Sequence, residues 1–182
     1  MRCIPFASRN IKEIVRDPIN LFFGLGFPLV LLFLLTAIQS NIPVDLFEIQ
    51  NLAPGIAVFG LSFIALFSGT LISKDRSTSF LTRLFASPMS STDFIMGYVM
   101  PLLPMAILQS AVCLAAAIIL GLDFSVHLLT TLLVLIPAAL FFIGVGLLTG
   151  SIFNDKQVGG ICGALLTNLS AWLSGTWFDL EL

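Results

Sequence analysis

The residues able to carry chemistry are few and scattered. The single histidine, His127, has only Asp123 and Ser125 near it in sequence, and no second histidine to share a metal. It reads as a solvated loop residue. Cys3, Cys113 and Cys162 lie far apart without a CxxC pair, so neither a zinc site nor a disulfide framework is expected. Cys113 and Cys162 fall in apolar stretches and read as small core hydrophobes. No G-x-x-x-x-G-K-[ST] occurs, so the chain has no loop to cradle ATP phosphates. Gly144-Val145-Gly146 misses the dinucleotide spacing, and no Ser-His-Asp set is visible. Asn168-Leu169-Ser170 has the form of a glycosylation acceptor, but it sits inside an apolar stretch where it cannot be reached. No catalytic residue, cofactor or metal is expected, and a net charge of −2 gives no field that attracts nucleic acid.

The elements around these residues belong to a lipid environment. The chain is 58% hydrophobic and only 10% charged, with a mean hydropathy of +1.07; soluble domains carry roughly 25% charged residues. Five windows are long enough to cross about 30 Å of hydrocarbon: residues 19–38, 53–73, 94–120, 128–150 and 158–178. None holds an Asp, Glu, Lys or Arg, and every charge lies outside them. A charged side chain at the centre of a membrane helix costs roughly 2.5–3.5 kcal/mol, which accounts for the exclusion. The fold class is therefore an all-α integral membrane protein: an N-terminal interfacial helix and five transmembrane helices. Its polar groups inside the windows are neutral, and Gln109, Thr130, Thr167 and Asn168 are candidates for pathway or packing roles.

The basic residues fix the orientation. Arg2, Arg9, Lys12 and Arg16 precede the first window. Lys74, Arg76 and Arg83 lie between the second and third, and Lys156 between the fourth and fifth. The alternate segments hold only acids: Asp45, Glu48, Asp123, Asp179 and Glu181. By the positive-inside rule the N-terminus is cytoplasmic.

Residues 1–18 form an amphipathic leader. On a helix, Ile4, Ala7, Ile11, Ile14 and Val15 share one sector and Arg9, Lys12 and Arg16 the next. This suits a helix lying in the inner headgroup layer with its cations against anionic lipid. Asp17-Pro18 breaks that helix before the first span. Gly24, Gly26 and Pro28 permit a kink in the first span, Pro54 falls near the first turn of the second, and Pro101 and Pro104 should tilt or break the third. Gly146-xxx-Gly150 and Gly159-xxx-Gly163 have close-packing spacing, within the chain or between two copies. In the inner loop, Phe80, Leu81, Leu84 and Phe85 fall on one face of a short helix, which can rest on the membrane or dock into a groove on a soluble partner.

In this order the features resemble the membrane subunit of ABC-2 type transporters. The matching residues are Lys12-Glu13 and Arg16-Asp17-Pro18 in the leader, and Leu52-Ala53-Pro54-Gly55-Ile56 opening the second span. Asp75-Arg76, Arg83-Leu84, Ala86-Ser87-Pro88 and Asp93-Phe94-Ile95 follow, and Leu173-Ser174-Gly175-Thr176-Trp177-Phe178 closes the fifth span. The resemblance implies an elbow helix over residues 1–18 and a coupling helix over 77–88. In and just before that helix, Arg76, Phe80, Leu81, Arg83, Leu84, Phe85 and Pro88 would engage an ABC ATPase subunit. It also implies a second permease subunit, homo- or heterodimeric, and a multi-pass location in a cell membrane of bacterial plasma-membrane type. The family has six spans. This sequence stops at Asp179-Leu180-Glu181-Leu182, so a truncation before the sixth is expected.

Proton- and sodium-coupled carriers place ionisable groups at mid-membrane; the five windows have none. Energy for any active transport would then have to come from elsewhere, most simply from a separate ATP-hydrolysing subunit. The expected function is that of a permease, not an enzyme, exporting a hydrophobic or amphipathic substrate. The alternative is a non-transporting membrane assembly or structural protein. Cysteines placed at positions 76 and 83 should react with a membrane-impermeant maleimide only from the cytoplasmic side; reaction from outside would invert the topology.

Overall fold

A computed structural model of the protein describes residues 3–41 and 47–174, and every regular element among them is helical. Arg2, Asp45, residues 175–178 of the closing motif, Asp179 and Glu181 lie outside the described residues. Helix α1 (Cys3–Val15) is followed by α2 (Pro18–Leu21), a π-helical turn π1 (Phe22–Gly26) and α3 (Phe27–Gln39), the last three running on as one span. Then come α4 (Ile49–Ser77), the short α5 (Phe80–Phe85), α6 (Ser91–Ile119) and α7 (Val126–Ile152). The last helical stretch is α8 (Asp155–Val158), a second π segment π2 (Gly159–Leu166) and α9 (Thr167–Leu173).

Among the described residues, four helices are long and apolar enough to cross a membrane: Pro18–Gln39, Ile49–Ser77, Ser91–Ile119 and Val126–Ile152. The fifth window is helical up to Leu173 and capped by Ser174, and residues 175–178 lie outside the described residues. Helices α6 and α7 begin ahead of their apolar windows at polar caps, with Ser125 accepting from the His127 N–H at 3.1 Å before α7. Ser90 and Asp93 form a capping box at the start of α6, and Asn154 and Gln157 another at α8. Asp17 caps α2 by accepting from the Asn20 N–H at 3.1 Å, so Asp17-Pro18 does separate α1 from the first span. The α6–α7 turn closes on Gly121 at φ +109°. There the Leu122 N–H reaches the Ala117 carbonyl at 2.9 Å, a Schellman closure that a side chain at Gly121 would strain.

The prolines depart from expectation. Because α4 begins at Ile49, Pro54 stands in its second turn rather than its first. Helix α6 runs unbroken through Pro101 and Pro104. Pro101 has no N–H to give the Gly97 carbonyl four residues back. That carbonyl instead accepts from the Asn10 side chain of α1 at 3.0 Å. A neighbouring helix thus satisfies the freed group, as membrane helices require. The kink foreseen around Pro28 is taken up by π1, whose wider turn precedes the proline.

Helix α4 is the axle. Its faces pack on α3, α6, α7 and the π2–α9 stretch, and its residues Ala57, Leu61, Ile64 and Ala65 are completely buried. Small residues bring α7 closest. A methyl at Gly146 would fall on the Ala65 carbonyl, and one at Gly150 on the Gly69 carbonyl. Ser68 bridges the same seam, donating to Ala65 O at 2.9 Å and lying 3.2 Å from Ile143 O. The Gly146/Gly150 pair therefore packs within the chain. The second pair differs: Gly159 has nothing within 4 Å, and Gly163 touches only Leu66.

Gly146→Ala must push α7 away from backbone atoms and is expected to destabilise the fold by about 1–3 kcal/mol. Gly144→Ala, whose methyl meets nothing within 4 Å, should be neutral or stabilise by up to about 1 kcal/mol. Denaturant unfolding in detergent measures both.

Candidate functional site

The charged end of the bundle gathers α1, the end of α4, α5 and the start of α6. Its centre is Asp75, in the last turns of α4 and only 2% exposed. One carboxylate oxygen, Oδ2, receives the Arg9 guanidinium at 2.6 Å and the Tyr98 hydroxyl at 2.9 Å. Arg9 also pairs with Glu13 at 2.5 Å, donates to Asn10 Oδ1 at 2.9 Å, and lies 4.4 Å over the Phe80 ring. Partial burial works against the guanidinium's charge, but the hydrogen bond and charge of Asp75, with Glu13, outweigh it. Arg9 therefore holds its proton more tightly than a free arginine.

Aromatic packing backs the ion pair. Phe6 meets Tyr98 edge-on at 4.9 Å and lies 5.9 Å from Phe80 and 6.1 Å from Phe94. It enters the notch left by Gly97, where a Cβ would overlap its ring. Asn10, completely buried, reaches the Gly97 carbonyl from the same side. Thus α1 is bound to α6 through a proline-freed carbonyl and to α4 through a carboxylate, while α5 lies beneath both.

These contacts divide α1 in a way that the amphipathic pattern did not. Cys3, Phe6, Ala7 and Asn10 turn into the protein, whereas Ile4, Ile11 and Val15 form an exposed apolar stripe. Of the three cations assigned to lipid, Lys12 and Arg16 are exposed, but Arg9 is not a headgroup cation: it is committed to Asp75. At the α1–α2 junction, Lys74 lies 3.8 Å from Asp17 and adds a second tie to α4.

The short helix departs from expectation in the same sense. Only Phe80–Phe85 is helical; Ser77 closes α4 and Pro88 lies in the turn before α6. The apolar face expected to meet a partner is split. Leu81 is 8% exposed, and Phe80 and Leu84 pack against the cluster of Phe6, Leu71, Ile72 and Tyr98. Phe85 is 69% exposed, although its ring lies 5.5 Å from Phe94. Thr82, Arg83, Ala86 and Pro88 share the exposed side. Arg83 folds back along its own helix, 3.4 Å from the Ser79 carbonyl. Arg76 donates to the carbonyls of Ser151 and Phe153, the latter at 2.9 Å, and so caps the end of α7. It lines a cleft with Asn154, Asp155 and Lys156.

The neutral polar groups are not brought together. Gln109 is 1% exposed between α6 and α4, its Nε2 3.5 Å from the Ala57 carbonyl. Its Oε1 has no hydrogen-bond partner. Thr130 is exposed and bonds the His127 carbonyl, and Thr167 is buried and bonds the Cys162 carbonyl. Asn168 is exposed and bonds the Ala164 carbonyl. His127 is exposed in the first turn of α7, and all three cysteines are buried and free. Sequence reasoning missed Asp75 as the centre of the site and Asn10 and Tyr98 as its partners. The one available signal was an acid and a tyrosine flanking the same loop.

The fold and this braced charged end define a multi-pass helical membrane domain with a short helix held at one face. The chain matches the ABC-2 type transporter family over residues 4–181 and belongs to it. Among curated proteins it is similar to one described as "Putative transport permease ycf38" from Pyropia yezoensis, 29% identical over 120 residues. The matched stretch covers 63% of this chain and 41% of that protein, so the chain spans less than half of the relative's length. No solved structure matches the chain.

Proposed function

We propose that this chain is the membrane permease subunit of an ABC-type transporter that exports a hydrophobic or amphipathic substrate. ATP is hydrolysed on a separate ABC ATPase subunit, which docks at the charged end. The supporting observation is the seating of α5. Phe80, Leu81 and Leu84 hold it to the bundle and the Arg9–Asp75 pair braces the helix beside it. A push on its exposed side would therefore reach α1, α4 and α6 together. In this reading Thr82, Arg83, Phe85 and Pro88 form the contact surface, with Arg83 offering a cation to an acidic partner. Phe80, Leu81 and Leu84 act as the anchor, and Arg76 stiffens the α4–α7 end.

The charged end faces the cytoplasm of a bacterial-type cell. Ile4, Ile11 and Val15 enter the inner acyl boundary while Lys12 and Arg16 meet anionic headgroups. A second permease subunit pairs across the bundle, and the pathway runs between the two. Gln109, Thr130, Thr167 and Asn168 stand in separate places, so polar steering of cargo by one cluster is not part of the reading. The neutral interior suits an apolar or amphipathic cargo.

The double variant Arg83→Glu/Phe85→Asp alters exposed side chains and leaves the anchor intact. Co-expressed with the ABC ATPase subunits of its source, it should lose at least about tenfold in co-purification, equivalent to ~1.4 kcal/mol of binding, while insertion is unchanged. Full retention of the ATPase by this variant would refute the docking surface.

A further inference from the structure

The π2 segment, Gly159–Leu166, has no local cause of the kind that explains π1. Helical π turns make up well under 1% of residues in globular proteins and recur at functional sites. At π1, Pro28 withholds the N–H that α-winding would bring to the Gly24 carbonyl. Between residues 155 and 173 there is no proline.

Packing does not explain the glycines of π2 either. A methyl at Gly159 or Gly160 meets nothing within 4 Å, and one at Gly163 meets only the Leu66 side chain, at 3.4 Å. On the α4–α7 seam, by contrast, Gly146 and Gly150 are dictated by backbone contact. Three glycines with room for side chains, all within one widened segment, leave backbone compliance as their use: glycine weakens a helix and eases changes of winding.

Two side-chain contacts hold the present register. Thr167 Oγ1 donates to the Cys162 carbonyl, five residues back, at 2.9 Å. Cys162 Sγ lies 3.1 Å from Thr149 Oγ1 of α7. Beyond them, Thr167, Ser170 and Ala171 are buried, while Asn168, Leu169, Trp172 and Leu173 are exposed.

We infer that π2 is a register hinge. Its interchange between π and α winding rotates α9 about the axis of the fifth span and exchanges the side chains that face α4. Absorbing one residue into α-winding turns everything beyond it by about 100°. Each α9 residue then takes the direction now held by its successor. Leu169 turns inward to where Ser170 points, and Thr167 turns out to where Asn168 points. Ser170 moves to the place of Ala171, itself buried, so Leu169 joins the inward face and Thr167 leaves it without any change in where the span enters the bundle. The inference rests on the helical membrane fold and is independent of which partner drives the protein.

The test uses the full chain in lipid nanodiscs, with a nitroxide on Leu169→Cys, an exposed position, and another on Leu148→Cys in α7 as a control. Alanine fits the open space at both glycines and favours α-winding, so Gly159→Ala/Gly160→Ala shifts the population toward the α register. The motionally restricted fraction of the label at 169 should rise at least about twofold in that variant, with the label at 148 unaffected. Gly160→Ala alone serves under the same criterion should the double variant fail to fold. A spectrum at 169 that is the same with glycine and alanine would overturn the hinge, as would equal changes at 169 and 148.

Discussion

A carboxylate that is 2% exposed at the rim of an apolar bundle sets the terms for everything at the charged end. Burying an ion without a partner costs several kcal/mol, and Asp75 lies two residues past the end of an uncharged membrane window. Its stabilisation draws on a cation from α1 and a hydroxyl from α6, with Phe80 of α5 packed against that cation. Asp75 is the one charged residue among the buried polar groups of the described chain. Once Arg9 is fixed, the roll of α1 follows: Phe6 and Asn10 face Gly97, and Ile4, Ile11 and Val15 face away.

The interior obeys a second constraint. Lipid offers helices no hydrophobic reason to associate, so close contact comes from small residues and satisfied backbone groups. The seam of Gly69, Gly146 and Gly150 lets α7 lie on α4, and Ser68 adds a hydroxyl across it. Proline, which breaks soluble helices, here opens a carbonyl that a neighbour uses: Gly97 O, freed by Pro101, becomes the anchor for Asn10. The close-packed seams at α4–α7 and α1–α6 stand beside π segments in the first span and in the last described helical stretch.

Much of this was legible in the residues. Four long apolar helices could be read because lipid rejects charge, so runs without Asp, Glu, Lys or Arg fall on them. Asp17-Pro18 marked the break after α1 because cap and proline act locally. What pattern could not settle was the choice among apolar surroundings. Lipid, a neighbouring helix and a partner's groove all accept Phe80, Leu81 and Leu84, and periodicity records only that water does not. Arg9 likewise shares a sector with Lys12 and Arg16; the acid that claims it is 66 residues away. The continuity of α6 depends on a donor from another helix. The π windings leave no mark in periodicity, which assumes a single pitch. The membership of the chain in the ABC-2 type family, by contrast, was readable from local motifs spread along its length.

The pairing of Arg9 with Asp75 is the claim on which this account stands, and a double-mutant cycle on unfolding free energy tests it most directly. With Arg9→Met, Asp75→Leu and the double variant unfolded in the same detergent, the two losses should fail to add. A coupling of at least about 1 kcal/mol is predicted, kept below that of a fully buried pair because water screens the exposed flank of Arg9. Losses that simply sum would show that Asp75 is not held by Arg9, and that the charged end is organised by something else.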